Sequence, residues 1–272
     1  MSPELTVLSC VALPLLAPAM IVALHRWPNP REAVTLLTAG GLFLLVYSLH
    51  GSVLEGARPA IDLAEPVPGL TLGFAVEPLG MLFALLASFL WMVTSVYSIG
   101  YMRSHHERQQ TSFYCYFAMA LGSVMGIAFA GNLFTLFIFY ELLTLSTYPL
   151  VTHAGGDDAR EGGRMYLGYL LGTSVTLLLL ALVWTWSLTG TLDFRTGGIL
   201  AGTVTPGIGS VLLVLFVFGI GKAAIIPFHL WLPAAMIAPT PVSALLHAVA
   251  VVKAGVFTVL KVVIYIFGID YL

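Results

Sequence analysis

Residues 133–152 read LFTLFIFYELLTLSTYPLVT, a run of membrane-spanning length with a single charged residue, Glu141, near its middle. Crossing about 30 Å of hydrocarbon takes roughly 20 predominantly apolar residues in a helix. A charge at the centre of such a segment costs about 2.5–3.5 kcal/mol on insertion scales, so it normally faces an interior and has a function. The same apolar pattern recurs along the chain. Breaks at polar or Gly/Pro-rich points give spans of about 4–25, 33–50, 76–102, 112–131, 133–152, 165–189, 208–226 and 241–267. The expected fold is therefore all-α, a polytopic membrane bundle of about eight transmembrane helices.

Composition agrees with that reading. Hydrophobic residues make up 59% of the 272 positions and charged residues 9%, against about 45–50% and about 25% in soluble domains. A water-soluble fold is excluded. Lys and Arg form no basic stripe, so nucleic acid is not an expected partner. Cys10 and Cys115 lie far apart in apolar runs and imply neither a disulfide framework nor a metal site. The segment MSPELT carries Glu4 and no basic residue, the wrong sign for a signal peptide, so the first span reads as a retained helix despite Ala17-Pro18-Ala19.

Between the second and third spans, ARPAIDLAEPVPGLTLGFAVE alternates apolar and polar positions around Pro66-Val67-Pro68-Gly69. This predicts a β-hairpin at the membrane surface, within about 51–76. Residues 227–241 hold Pro227, Pro233, Pro239 and Pro241. The seventh span is thus expected to be broken near its end, a feature tolerated at membrane depth only beside protein or a water-filled cavity. Arg26, Arg31, Arg103, Arg108, Arg160 and Arg164 fall in loops of one side and Arg58 and Arg195 in loops of the other. The positive-inside rule then places the N-terminus, and with eight spans the C-terminus, outside.

All eight arginines lie in predicted loops, whereas all three lysines, Lys222, Lys253 and Lys261, lie inside predicted spans. Arginine keeps its proton at any accessible pH, while a desolvated lysine can load and release one. Lys222 stands beside Gly219 and Gly221 and reaches neither surface easily. Lys253 is at the middle of the eighth span. Lys261 lies close enough to the span end that snorkelling is its expected behaviour. His247 shares the last helix with Lys253, six residues or about 9 Å along the axis, a gap that water would have to bridge. Ser243, His247 and Lys253 make a polar series in an apolar helix. The proton relay read from these residues is Glu141, Lys222, His247 and Lys253, with His229, Lys261, Ser243 and Thr144 as secondary candidates. His105-His106-Glu107 reads as solvated surface. Gly219-Ile220-Gly221-Lys222 lacks the spacing of a phosphate loop. No dinucleotide fingerprint or haem, flavin or iron–sulfur pattern is present, so neither a cofactor nor a bound metal nor a catalytic site of its own is expected.

Two stretches, GNLFTLFIFYELLTLSTYPLV and GKAAIIPFHLWLPAAMIAPTPVSALLHAVAVVKAGVF, resemble the signature spans of the antiporter-like subunits shared by respiratory complex I and Mrp-type cation/proton antiporters. AVAVVKAGVF and the ending KVVIYIFGIDYL lean toward the D-type branch of the Mrp proteins. The resemblance implies that Glu141 on the fifth helix pairs with Lys222 on the broken seventh, followed by His247 and Lys253 on the eighth. It also implies two inverted five-helix repeats, each a half-channel, of which this sequence carries the first. Residues 1–110 would form three N-terminal helices with the hairpin, and 111–272 the five-helix half-channel. The implied setting is a bacterial inner membrane, with other membrane subunits and the lipid bilayer as partners and protons as cargo. Sodium is a second candidate cargo through Glu141, Thr144 and Ser146. A membrane scaffold with vestigial charges is the alternative.

Overall fold

The computed structural model describes residues 2–269. Met1 and the last three residues of the expected 111–272 unit, with the C-terminus, lie outside the described residues. Among the described residues, seven helices are long and apolar enough to cross a membrane: α1 (Pro3–Ala23), α2 (Pro28–Leu54), α3 (Pro78–Ser104), α4 (Gln110–Ala128), α5 (Leu133–Val151), α6 (Gly156–Thr189) and α8 (Thr240–Phe267). Between the last two lies the shorter apolar helix α7 (Pro206–Gly219). The chain is a multi-pass membrane protein. Seven of the eight expected spans are met by these long helices; the remaining one, expected over 208–226, is the shorter α7, which stops at Gly219.

Local chemistry sets many of the boundaries. Pro3, Pro28, Pro78 and Pro206 open their helices, where the missing N–H leaves no hydrogen bond unmade. Asn132 caps α5, its Oδ1 accepting from Thr135 N at 2.8 Å. The bundle is held by close approach of small residues, as expected where helices share apolar surroundings. A Cβ on Gly126 of α4 would lie 2.1 Å from the Phe139 ring of α5, and one on Gly122 2.6 Å from Leu15 of α1. α4 is consequently the central helix, packed on α1, α3 and α5.

The hairpin forms as expected, with β1 (Ala60–Val67) antiparallel to β2 (Leu70–Ala75). It is bonded to the bundle rather than resting on it. Thr135 Oγ1 accepts from Gly73 N at 3.0 Å, Asn132 Nδ2 donates to Thr71 O at 2.9 Å, and Ala75 N donates to Phe129 O at 2.7 Å.

At the opposite end, four arginines expected in loops belong to helices: Arg31 to α2, Arg103 to α3, and Arg160 and Arg164 to α6. Arg31 lies in the first turn of α2 and is 5% exposed, and Arg103 lies in the last turn of α3. Both pair with the buried Glu32 carboxylate, and Arg31 also donates to Gln110 Oε1 (2.8 Å) and Thr111 Oγ1 (3.0 Å). Pro28 starts α2 early enough to draw Arg31 out of the loop. His153, just beyond α5, sits half-buried against Phe113. Burial holds its imidazole below the ordinary value of 6.5, against the opposing pull of Glu107 and of the Arg108 backbone.

Gly126→Ala should destabilise the bundle by about 1–3 kcal/mol through overpacking, read as earlier thermal unfolding in detergent. Gly51→Ala, whose added Cβ meets nothing within 4 Å, is the control. Because the fold favours neutral His153, the unfolded chain binds the extra proton first. The stabilisation is complete above the ordinary value of 6.5 and is lost as pH falls through the lower folded value. The drop in unfolding temperature between about pH 7.5 and about pH 5.5 should accordingly be smaller in His153→Gln than in the wild type.

Candidate proton pathway

Lys222 stands on a single 3₁₀ turn, Gly221–Ala223, immediately after α7 ends. The following Ala224 adopts a left-handed conformation at φ 53°, and the chain then runs through short helical pieces to Pro239 before α8 begins. A break inside the membrane frees backbone groups that lipid cannot satisfy. Side chains of other elements satisfy them here: Lys222 N donates to Tyr140 Oη at 3.1 Å, and Trp231 Nε1 donates to Gly221 O at 3.0 Å. Glycines let three helices close on the turn. A Cβ on Gly219 would lie 2.5 Å from Leu178 N, one on Gly221 2.3 Å from Thr173 Oγ1, and one on Gly255 2.2 Å from Ala223 N.

The Lys222 side chain is completely buried. Its Nζ donates to Tyr140 O at 2.8 Å and to Thr144 Oγ1 at 2.5 Å, and lies 3.3 Å from the centroid of the Tyr140 ring. The secondary candidate Thr144 is therefore a direct ligand of the ammonium. Tyr140, which sequence reasoning passed over as an apolar residue, contributes its carbonyl, its hydroxyl and its ring. Its position next to Glu141 and four before Thr144 was the available signal, since i and i+4 share a helix face.

The expected direct pair between Glu141 and Lys222 is absent: among the described residues Lys222 has no carboxylate within 4.0 Å. Helical geometry explains this, because Glu141 is turned about 100° from the Tyr140 side of α5. Both carboxylate oxygens are shielded from the surface, and neither has a hydrogen-bond partner among the described residues.

On α8, His247 lies in a π-helical segment, Leu245–Val249, with its Nε2 buried and unpartnered among the described residues. Lys253, expected deep in the span interior, is instead exposed on the flank of α8 along with Val256 (45%) and Leu260 (42%). The register decides this, since Ala254 and Gly255 take the inward face against the Lys222 turn. His229 is half-buried in the broken segment with an unpartnered Nδ1. Ser243 reaches only Ala238 O at 3.5 Å, a contact local to the start of α8. Thr144 is engaged by Lys222, and Ser146 Oγ donates to Leu143 O of its own helix at 3.1 Å, so the oxygens considered for sodium do not gather around Glu141.

Lys261 departs most from expectation. It does not snorkel but is fully buried, forming an ion pair with Glu77 Oε1 at 2.6 Å and donating to Ala130 O at 2.7 Å. Glu77, the residue before α3, was missed because it stands at a span boundary, where carboxylates are ordinary.

The sequence matches the family described as NADH:quinone oxidoreductase/Mrp antiporter, TM, over residues 130–271. It is 32% identical over 231 residues to a probable K(+)/H(+) antiporter A/B protein of Rhizobium meliloti, covering 83% of this chain and 22% of the relative. It is 31% identical over 205 residues to NAD(P)H-quinone oxidoreductase chain 5 of a Synechocystis species, covering 71% and 29%. The chain thus spans less than a third of the length of these relatives. Neither relative is of the D type, and the two lend nothing to that finer expectation. Among solved structures, a chain of the Mrp complex from a Dietzia species superposes with a TM-score of 0.77 at 24% identity, over 95% of this chain and 28% of that one. That likeness shows a shared fold. The match over residues 130–271, supported by the two relatives, makes this chain a member of the NADH:quinone oxidoreductase/Mrp antiporter transmembrane family.

Proposed function

We propose that this chain is a proton-translocating membrane subunit of a multi-subunit cation/proton antiporter or respiratory complex, with protons moving through Glu141, Lys222, His247 and Lys253. The observation that carries this is the Lys222 ammonium, completely buried and held, among the described residues, by neutral oxygens and a ring. A buried lysine without an adjacent counter-ion is costly to keep charged, and unlike arginine it can give its proton up. A change of charge at Glu141, whose carboxylate has no fixed partner of its own, alters the field at Lys222 and decides whether that proton is held or released. Water carries it to His247 and Lys253.

Lys253 emerges on a flank of α8 at membrane depth, where a charge does not face lipid. Its neighbours are therefore water and a further membrane-embedded chain or segment, which receives the proton. The family match over 130–271 falls within the expected five-helix unit 111–272 and supports reading that unit as one half-channel. The arginine distribution supports a cell-membrane orientation with both termini outside.

Cation/proton exchange should be measured in membrane vesicles holding the whole assembly, at matched expression. Lys222→Ala is expected to abolish exchange. Lys222→Arg, which keeps a charge but cannot release a proton, should abolish it as well. Exchange retained in either variant overturns the proposal and leaves the chain a scaffold.

A further inference from the structure

Lys261 and Glu77 have no role in the relay above. They meet at the end of the bundle that carries the hairpin, where the last turns of α8 approach the start of α3 and the α4–α5 connection. Lys261 Nζ is bonded to Glu77 Oε1 (2.6 Å) and Ala130 O (2.7 Å) and lies 4.1 Å from the Phe194 ring centroid. The Tyr265 ring centroid lies 6.0 Å from the same ammonium. Glu77, Tyr265, Ala130 and Phe194 also border a cavity of about 420 Å³, with Arg58 on its rim. The lysine itself is sealed from the surface, while the Glu77 side chain is 14% exposed.

The charged and titratable groups around the ammonium are thus Glu77 from the start of α3, Tyr265 from α8 and Arg58 from the segment leading into β1. A buried ion pair is a weak contributor to stability compared with apolar residues of the same volume, so bracing alone is a poor reason to place one here. Its arrangement sets a partly exposed carboxylate on the cavity wall against a lysine sealed from the surface behind it. Lys261 stands eight residues beyond Lys253 on the same helix, about 12 Å along the axis, a gap comparable to that between His247 and Lys253.

We propose that Glu77 and Lys261, with the cavity they border, form a second proton-binding station that exchanges protons between the relay and the hairpin-side aqueous phase. A proton from cavity water binds the Glu77 carboxylate and weakens its hold on the Lys261 ammonium. Lys261 then gives its own proton to water on the Lys253 side. The proton on Glu77 passes to the neutral amine, restoring carboxylate and ammonium, so that one proton has crossed and both groups are as they began. The reverse order unloads the relay.

The station rests on the reading of the chain as proton-translocating, and the experiment separates the two. Exchange is compared in vesicles of the intact assembly carrying wild type, Lys222→Ala, Lys261→Arg, and the double variant Glu77→Leu/Lys261→Met. Lys261→Arg keeps the ion pair but cannot release a proton, and the double variant removes both charges together. Both are expected to assemble and to lose exchange by about a hundredfold, the lower range for a positioned proton-transfer group. Exchange at the wild-type rate in either one overturns the station while Lys222→Ala remains inactive. Exchange retained in Lys222→Ala overturns the underlying reading instead. If neither Lys261 variant assembles, the pair is a structural brace and the station is likewise overturned.

Discussion

Every backbone polar group inside the bilayer must find its partner within the protein, and at the Gly221–Ala223 turn this requirement shapes everything nearby. Ending α7 early strands backbone groups and places an ammonium where no water is guaranteed. Tyr140 answers three needs at once, accepting from the Lys222 backbone at its hydroxyl, from the side chain at its carbonyl, and presenting its ring to the charge. Trp231 takes the Gly221 carbonyl. Gly219, Gly221 and Gly255 exist at this crossing because any Cβ would strike the neighbouring helix or the turn itself.

The two buried lysines solve the same problem differently. Lys222 is held by neutral oxygens, with no carboxylate among the described residues within 4.0 Å, whereas Lys261 has a carboxylate in direct contact. An ammonium held by neutral groups is poised to respond to charge changes elsewhere, because no fixed counter-ion dominates its surroundings. An ammonium in a contact pair responds chiefly to what happens to its partner, here a carboxylate that borders a water-accessible cavity. The first arrangement suits the interior of a relay and the second suits an opening.

Much of the fold was legible because its determinants are local and additive. Hydropathy over about 20 residues marks a span whatever surrounds it, and alternation around Pro68-Gly69 marks a hairpin. The four prolines of residues 227–241 pointed to a broken segment, though the helix ended earlier than they suggested. The site was legible in its residues and not in its contacts. Glu141, Lys222 and Thr144 stood out as polar positions in apolar runs, but Tyr140 and Glu77 did not, because neither a tyrosine in a membrane helix nor a glutamate at a helix start is unusual by itself.

What the sequence by itself determined, then, is that the chain crosses the membrane repeatedly, that one crossing is interrupted, and that its lysines fall within predicted spans rather than loops. The tertiary structure decided which way each of those side chains turns. It set Lys222 against Tyr140 and Thr144 rather than Glu141, turned Lys253 outward, and buried Lys261 against Glu77. The reason is geometric. Burial of apolar residues fixes where a helix runs, while the 100° step between successive residues and the close contacts at a few glycines fix its rotation, and only the packed helices together supply those contacts.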